Sequence, residues 1–395
     1  MLKLYNSLGK KIQDFKPQKD GEVSLYVCGL TPDAATHLGH AFTYLTFDVL
    51  IRYFRFKDYK VNYLQNVTDI DDDILVRSKK AGRDWQEFGT HFTKVFEDNM
   101  NKLGWIHPEP YVRATDAIPT IVKIVKGLVE NEFAYEVDGI VYFDVSKYGE
   151  YGKLGKFGKG KMTSLLAERG GDPDDPNKRN PLDFILWQKG EEGEPTWESP
   201  WSAGRPGWHI ECSSMIYENL GEQIDIHGGG ADLIFPHHES EIAQSESFTG
   251  RSPFAKYWMH VAYLRYKGEK MSKSLGNLIL TSDLLEKYSA NAIRHLLLSH
   301  HYREEWEYTD EQMQEAVGKW ELLEKRCYSE LVSESRSETP DPVSFAQGKQ
   351  VRGDVGLEVL KFLEDDLDTP GALKCLDKIN SETLKSSLEL LGFQV

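Results

Sequence analysis

Residues Glu22–Leu30 read EVSLYVCGL, a run dense in strand-favouring residues that breaks at Gly29 and at Thr31-Pro32. The pattern predicts a buried strand entering a loop. From about His37 to Phe56 the apolar residues fall at helical spacing, and Val61–Asn66 (VNYLQN) has the composition of a second strand. Strand, loop, helix, strand is the opening of a parallel α/β sheet. Such sheets take ligands at the carboxyl ends of their strands, which draws attention to Cys28–His40.

Outward from this unit the text changes character. Helical text at Ile118–Glu132 gives way to a strand pair around Ala134–Val145, then to Gly/Lys-rich and Asp/Pro-rich loops. Residues of about 115–200 therefore read as an insertion between two halves of the sheet. Residues 207–300 read as short apolar strands and glycine turns. From Thr309 the text is helical to the end, broken by a polar linker at Ser329–Pro342. At 395 residues there is room for two or three cores, and 40% hydrophobic content argues against general disorder.

Composition narrows the function classes. No apolar run approaches the ~20 residues of a membrane helix, and the start, MLKLYNSLGKKIQDF, has no signal-peptide core. A cytoplasmic protein is expected. Its four cysteines (Cys28, Cys212, Cys327, Cys375) are too scattered for a disulfide framework, so each reads as a thiol or a metal ligand. A net charge of −16 excludes indiscriminate nucleic-acid binding over the whole surface. Two basic runs stand out locally, Lys153–Lys161 (KLGKFGKGK) and Arg265–Lys273. The first reads as a solvated loop.

Four stretches carry chemistry. Thr36-His-Leu-Gly-His40 sits at the strand-to-helix junction, where helix amides favour an anion and Gly39 permits close approach. A helix start with incidental surface histidines is the competing reading. Glu269-Lys-Met-Ser-Lys-Ser274, followed by Leu275-Gly-Asn277, offers two lysines as a clamp over polyphosphate; a solvated loop competes. His237 and Glu241 stand one helical turn apart and, with Cys28 and Cys212, make up a set of zinc-type donors. Small buried cysteines are the alternative there. Gly228-Gly-Gly230 with Asp232 is a glycine turn, a weak signal alone.

Together the THLGH and KMSKS segments look like the signatures of class I aminoacyl-tRNA synthetases. Further stretches resemble cysteinyl-tRNA synthetases: YVCGLTPDAATHLGH, NVTDIDDDI, NPLDFILWQ, WESPWSAGRPGWHIECSSM, DIHGGGADLIFPHHESEIAQSE and YWMH. The likeness runs from Leu2 to about Tyr308. It implies an α/β fold, with a Rossmann-like class I catalytic domain, an inserted connective domain and a C-terminal helical region. The implied boundaries are 1–115 and 201–255 for the two catalytic halves and 116–200 for the insertion. A KMSKS-bearing stem-contact region would cover 256–308, and a short helical bundle 309–395.

The resemblance also implies site roles. Cys28, Cys212, His237 and Glu241 would hold one Zn²⁺ per chain, which selects the substrate thiol. Serine differs from cysteine by one atom, and zinc's preference for sulfur separates them without an editing domain. Gly29, Thr68, Trp208 and His227 would surround L-cysteine, although Thr68 and Trp208 serve equally as core residues. Gly39, His40, Gly228, Gly229, Gly230, Asp232 and Lys273 would bind ATP with its Mg²⁺. His37, His40, Lys270 and Lys273 would stabilise the transition state.

Two acceptors fit the activated cysteine. One is the 3′ end of tRNA(Cys). The other is glucosaminyl-inositol, the acceptor of the related mycothiol-pathway ligase. TPDAATHLGHAFTYLTFD, Phe42, the short text after Asp365–Pro370 and the ending LELLGFQV are similar to the ligase. Glu241 and His227 within DIHGGG are similar to the synthetase, and tRNA is the preferred reading, with contact concentrated on the acceptor arm. A non-catalytic paralogue that merely binds nucleotide or RNA would show eroded signatures, and these are intact. The working form is expected to be a monomer.

Overall fold

The structure, a computed structural model, describes residues 1–271, 276–334 and 355–395. Strand β1 (Glu22–Leu30) is buried on both faces, with Val23 and Leu25–Val27 fully enclosed. That explains its nearly continuous apolar text, since a parallel strand is covered on both sides. The chain turns into helix α1 (Leu38–Phe56), whose N-cap His37 accepts a hydrogen bond from the Gly39 amide. It returns as β2 (Lys60–Val67), and β3 (Tyr111–Arg113) follows on the same sheet.

The insertion is a four-stranded antiparallel sheet of Ala134–Val137, Ile140–Phe143, Phe184–Lys189 and Gly204–Pro206. Its last strand lies beyond residue 200. Helix α2 (Lys159–Glu168) sits between its second and third strands in the chain. Next come α3 (Trp208–Asn219), β4 (Ile224–Gly230), α4 (His237–Thr249) and β5 (Ala255–Val261). A ribbon of β6 (Leu264–Tyr266) and β7 (Glu269–Lys270) follows, then α5 (Ala290–Leu298) and β8 (Trp306–Glu307), which pairs with β6. Helix α6 (Asp310–Glu334) and the short helices α7 (Leu357–Glu364), α8 (Thr369–Cys375) and α9 (Ser381–Leu390) close the chain.

The central sheet has the order β5-β4-β1-β2-β3, and every pairing is parallel. From β1 the chain builds outward in one direction, then returns to build from β4 in the other. The switch point between β1 and β4 opens a crevice at their carboxyl ends. Cys28–Leu30 and His227–Gly230 occupy those ends.

Two expectations from the text give way. Beyond the helix expected at His237–Glu241, which is α4, residues 207–300 hold helices α3 and α5 as well as strands. In α3 and α4 the residues His209–Ile216 and His237–Ser247 are buried on every side, so no polar stripe marks the helical period. The linker expected from Ser329 begins as helix, since α6 continues to Glu334. SELVSE contains neither Gly nor Pro, and an established helix gains one bond with each residue added. The rest of that linker, 335–342, lies outside the described residues.

A buried ion network ties α1 to the C-terminal helices. Asp48 of α1 contacts the Arg294 guanidinium of α5 and, at 2.9 Å, the Arg52 Nε, while its second oxygen accepts from the Ile106 amide at 2.8 Å. Arg294 also donates to the carbonyls of Leu391 (2.7 Å) and Leu103 (2.9 Å). No described helix is long and apolar enough to cross a membrane.

Candidate active site and metal centre

At the switch point the four expected metal ligands converge. Cys28 comes from the end of β1, Cys212 from α3, and His237 and Glu241 from one face of α4. Their donor atoms all lie within 4.8 Å of one another, and all four side chains are buried. His237 Nε2 is 3.1 Å from Glu241 Oε1, and the Cys28 thiol reaches the same oxygen at 3.7 Å.

A second donor set shares two of these residues. Cys28, His227, His238 and Glu241 also cluster within the same limit. His238 Nε2 is 3.2 Å from Cys28 Sγ, and His227 Nε2 is 3.0 Å from Glu241 Oε2. His227, expected beside the substrate, is fully buried and stacks on Trp258 at 4.3 Å. Further rings orient the donors. His209 Nδ1 lies 3.0 Å from His237 Nδ1, and His238 Nδ1 lies 2.8 Å from His260 Nε2, which in turn leans on Ser7. His209, His238 and His260 were missed in the sequence, although the doubled histidine of FPHHESE was a visible signal.

Proximity sets the charges. Burial opposes ionisation of Cys212, but the Cys28 thiol and the His237 ring outweigh it and bring the Cys212 thiol down to about 6. Burial and the adjacent Cys212 push the Cys28 thiol well up. Burial works against a charged His237, yet Cys212 and Glu241 raise it to about 10. For Glu241 burial is again outweighed, here by His227 and His237, which hold its carboxyl at about 2. Burial is thus outweighed at Cys212, at Glu241 and at the His237 ring, each of which favours its charged form in the company of the others. A divalent cation could replace that ring's proton. Two sulfurs, one nitrogen and one oxygen suit Zn²⁺, and its taste for thiolate favours the set containing Cys212.

The expected cysteine pocket adjoins this centre. Trp208 stacks on the His237 ring at 4.2 Å. The Gly29 amide donates to Asn66 Oδ1 at 2.6 Å, and the same Asn66 donates to Thr68 Oγ1 at 3.1 Å. A Cβ on Gly29 would fall 1.5 Å from the Asn66 carbonyl oxygen, so only glycine fits there. Tyr44 of α1 reaches the Cys28 carbonyl at 3.3 Å, linking the donor cluster to the signature helix.

On the phosphate side, His37 and His40 stack with ring centroids 3.7 Å apart at the start of α1. His37 Nδ1 accepts from the Gly39 amide at 3.1 Å, which leaves the proton of a neutral ring on Nε2. The segment after the KMSKS stretch pairs directly with this motif: Leu38 donates to Ile279 O and Thr281 donates to Thr36 O. Lys270 lies 3.5 Å from Asp232 and over the Tyr263 ring at 4.3 Å. Lys273 lies outside the described residues. A Cβ on Gly228 would sit 2.2 Å from the Phe47 ring, so the β4 turn packs directly on α1. The insertion reaches this corner too, since Arg169 donates to the carbonyls of Asp232 and Phe235.

Residues 14–318 match the family model described as the catalytic domain of class I (C) tRNA synthetases. A cysteine--tRNA ligase of Dehalococcoides mccartyi is 42% identical over 382 residues, 96% of this chain and 80% of that protein. One from Thermodesulfovibrio yellowstonii is 42% identical over 384 residues, 95% of this chain and 77% of that protein. Among solved structures, the methionyl-tRNA synthetase of Mycobacterium tuberculosis in complex with methionyl-adenylate superposes with a TM-score of 0.64. It covers 94% of this chain and 89% of its own at 16% identity, a likeness of fold.

Proposed function

Since the chain belongs to the cysteinyl-tRNA synthetase family, we propose that it activates L-cysteine with ATP and transfers it to the 3′ end of tRNA(Cys). The convergence of Cys28, Cys212, His237 and Glu241 at the switch point, beside the paired signature segments, carries this reading. Between tRNA and glucosaminyl-inositol as acceptors, the relatives favour tRNA.

In the first step the cysteine carboxylate attacks the α-phosphorus of ATP, the bond to the β-phosphate oxygen breaks, and pyrophosphate leaves. Nucleophile and phosphate are held together in the crevice, so positioning supplies much of the rate. His37 presents Nε2–H towards developing phosphate charge at the N-terminus of α1. Lys270, paired with Asp232 while both are nearly half exposed, holds that partner by roughly 1 kcal/mol or less. It can therefore exchange the carboxylate for phosphate, with Lys273 acting alongside and Mg²⁺ accompanying the nucleotide. The glycines of β4 admit Phe47, Leu233 and the Asp232 carboxylate against the strand end, and Asp232 would take a ribose hydroxyl of the adenosine. In the second step the terminal ribose hydroxyl of tRNA attacks the carbonyl of the adenylate and AMP leaves.

Cys28, Cys212, His237 and Glu241 would hold Zn²⁺, which would select a thiol over a hydroxyl and favour its ionised form. Around it Trp208 and Thr68 shape the cavity, and His227 fixes Glu241. We take residues 116–200, extended to the strand at Gly204–Pro206, as the connective insertion, and the protein as a cytoplasmic monomer, for which sedimentation equilibrium is the check. The test of function is aminoacylation of tRNA(Cys) with labelled cysteine. Charging is expected, and its absence with active enzyme refutes the reading.

A further inference from the structure

Regular pairing of β1 with β2 breaks at one place. Val27 stands opposite Gln65 and Leu30 opposite Val67, so Cys28 and Gly29 together face Asn66 alone. Such a bulge takes its extra residue off the ladder and re-aims the chain locally. It falls at Cys28, one of the cluster's donors, and at Gly29 of the expected cysteine pocket.

The Asn66 side chain takes up what the ladder leaves. Its Oδ1 accepts from the Gly29 amide at 2.6 Å and from the Tyr26 hydroxyl at 2.8 Å. Asn66, Tyr26 and Thr68 are all buried. A backbone amide can only donate, so the atom facing Gly29 is the carboxamide oxygen and the other end is the NH₂ group. That NH₂ donates to Thr68 Oγ1 at 3.1 Å. Thr68 lies one residue past the end of β2, and its own amide donates to the Leu30 carbonyl at 3.1 Å. One lone pair of its hydroxyl is therefore occupied from the strand side. The proton and the second lone pair bond to no other group among the described residues.

We propose that Asn66 is a positioning residue for L-cysteine: it locks the Thr68 hydroxyl so that one proton and one lone pair, in fixed directions, meet the substrate's charged amino-acid head. This rests on the reading above that Thr68 borders the cysteine pocket. A free hydroxyl averages over several staggered orientations, and fixing it in advance removes that ordering from the binding step. The same carboxamide fastens Gly29, whose N–H is spent on Asn66, so Gly29 serves the pocket by close approach of the chain. Through Tyr26, whose ring meets His227 edge-on at 5.0 Å, the node also joins β4.

The test is a double-mutant cycle read as the KM for cysteine in pyrophosphate exchange. Asn66→Ser keeps an acceptor but is one bond too short to hold both Gly29 and Thr68. Thr68→Val keeps the volume and removes the hydroxyl. Each single variant should raise the KM for cysteine about tenfold, the size of one lost hydrogen bond. The double variant should also stand near tenfold, because an unlocked Thr68 has little left to lose. The KM for ATP should match wild type in all three, which a general loosening of the crevice would not leave untouched. Should Asn66→Ser fail to fold, Asn66→Asp keeps the volume and both accepted bonds, cannot donate to Thr68, and carries the same comparison. A roughly hundredfold rise in the double variant, the product of two independent effects, would overturn the proposal, as would an Asn66 variant with the wild-type KM for cysteine. A Thr68→Val protein with an unchanged KM would remove the proposal together with the pocket reading beneath it. Wild-type protein without exchange would sink cysteine activation itself, a result separable from all of these.

Discussion

Replacing Asp48 by Asn changes one buried atom pair in the helix that carries the His37 and His40 motif. Asp48 and Arg294 are both fully enclosed, and Arg52 is nearly so. Burial pushes the Asp48 carboxyl up, but Arg294 and Arg52 more than offset it and hold the group below the usual range. An amide keeps the volume and one acceptor. It loses the charge and turns an NH₂ donor towards guanidinium donors. Two guanidiniums then share the interior with no anion. Removing one partner of a buried pair costs about 3–5 kcal/mol, a large part of the 5–15 kcal/mol that typically holds a domain together. With a urea m-value near ~3 kcal/mol/M, the unfolding midpoint should fall by roughly 1–2 M. Arg294→Met should cost a similar amount, and the double variant much less than the sum, because the second change removes one of the stranded charges. Urea titration followed by tryptophan fluorescence measures all four proteins. A midpoint for Asp48→Asn within about 0.3 M of wild type, or strict additivity in the double variant, would refute the reasoning.

Other consequences are checked as directly. Glu241→Gln removes a donor shared by both ligand sets, and should weaken zinc retention against a chelator by at least ~100-fold, read by metal analysis after dialysis; full retention would count against the centre. Gly228→Ala places a methyl 2.2 Å from the Phe47 ring, so about 1–3 kcal/mol of stability should be lost and pyrophosphate exchange should fall; wild-type melting and exchange would contradict that packing. Burial, helped by Lys319, brings the His295 ring down to about 4, whereas the unfolded ring titrates near 6.5. Its contribution is complete above pH 6.5 and declines as pH falls towards 4, by ~1.4 kcal/mol per unit. Stability should therefore drop by ~2 kcal/mol from this ring between pH 6.5 and 5, and His295→Gln should flatten that slope in denaturant titrations.

How much of this was readable beforehand follows physical lines. The opening β1, α1, β2 unit was legible because its periodicities are local and its breaks are marked by Gly29 and Pro32. His237 and Glu241 were legible because a one-turn spacing fixes a shared face. Helix α3 was not, since a helix buried all round has no polar stripe to betray it. The role of His227 was only half visible: sequence placed it beside the substrate, while the fold sets it 3.0 Å from Glu241. His238 and His260 meet through tertiary packing of α4 on β5, which no sequence spacing encodes. Likewise Arg169 reaches Asp232 across the boundary between insertion and sheet, a contact between segments 63 residues apart.

On the function proposed above, a metal held at the β1–β4 switch point selects cysteine for activation. The most direct measurement is ATP–pyrophosphate exchange with cysteine or serine, on protein as purified, after chelation and after zinc reloading. Exchange should depend on cysteine, collapse on chelation and return with zinc, while serine stays near background throughout. Equal exchange with both amino acids, or cysteine-dependent exchange that survives complete removal of metal, would contradict it.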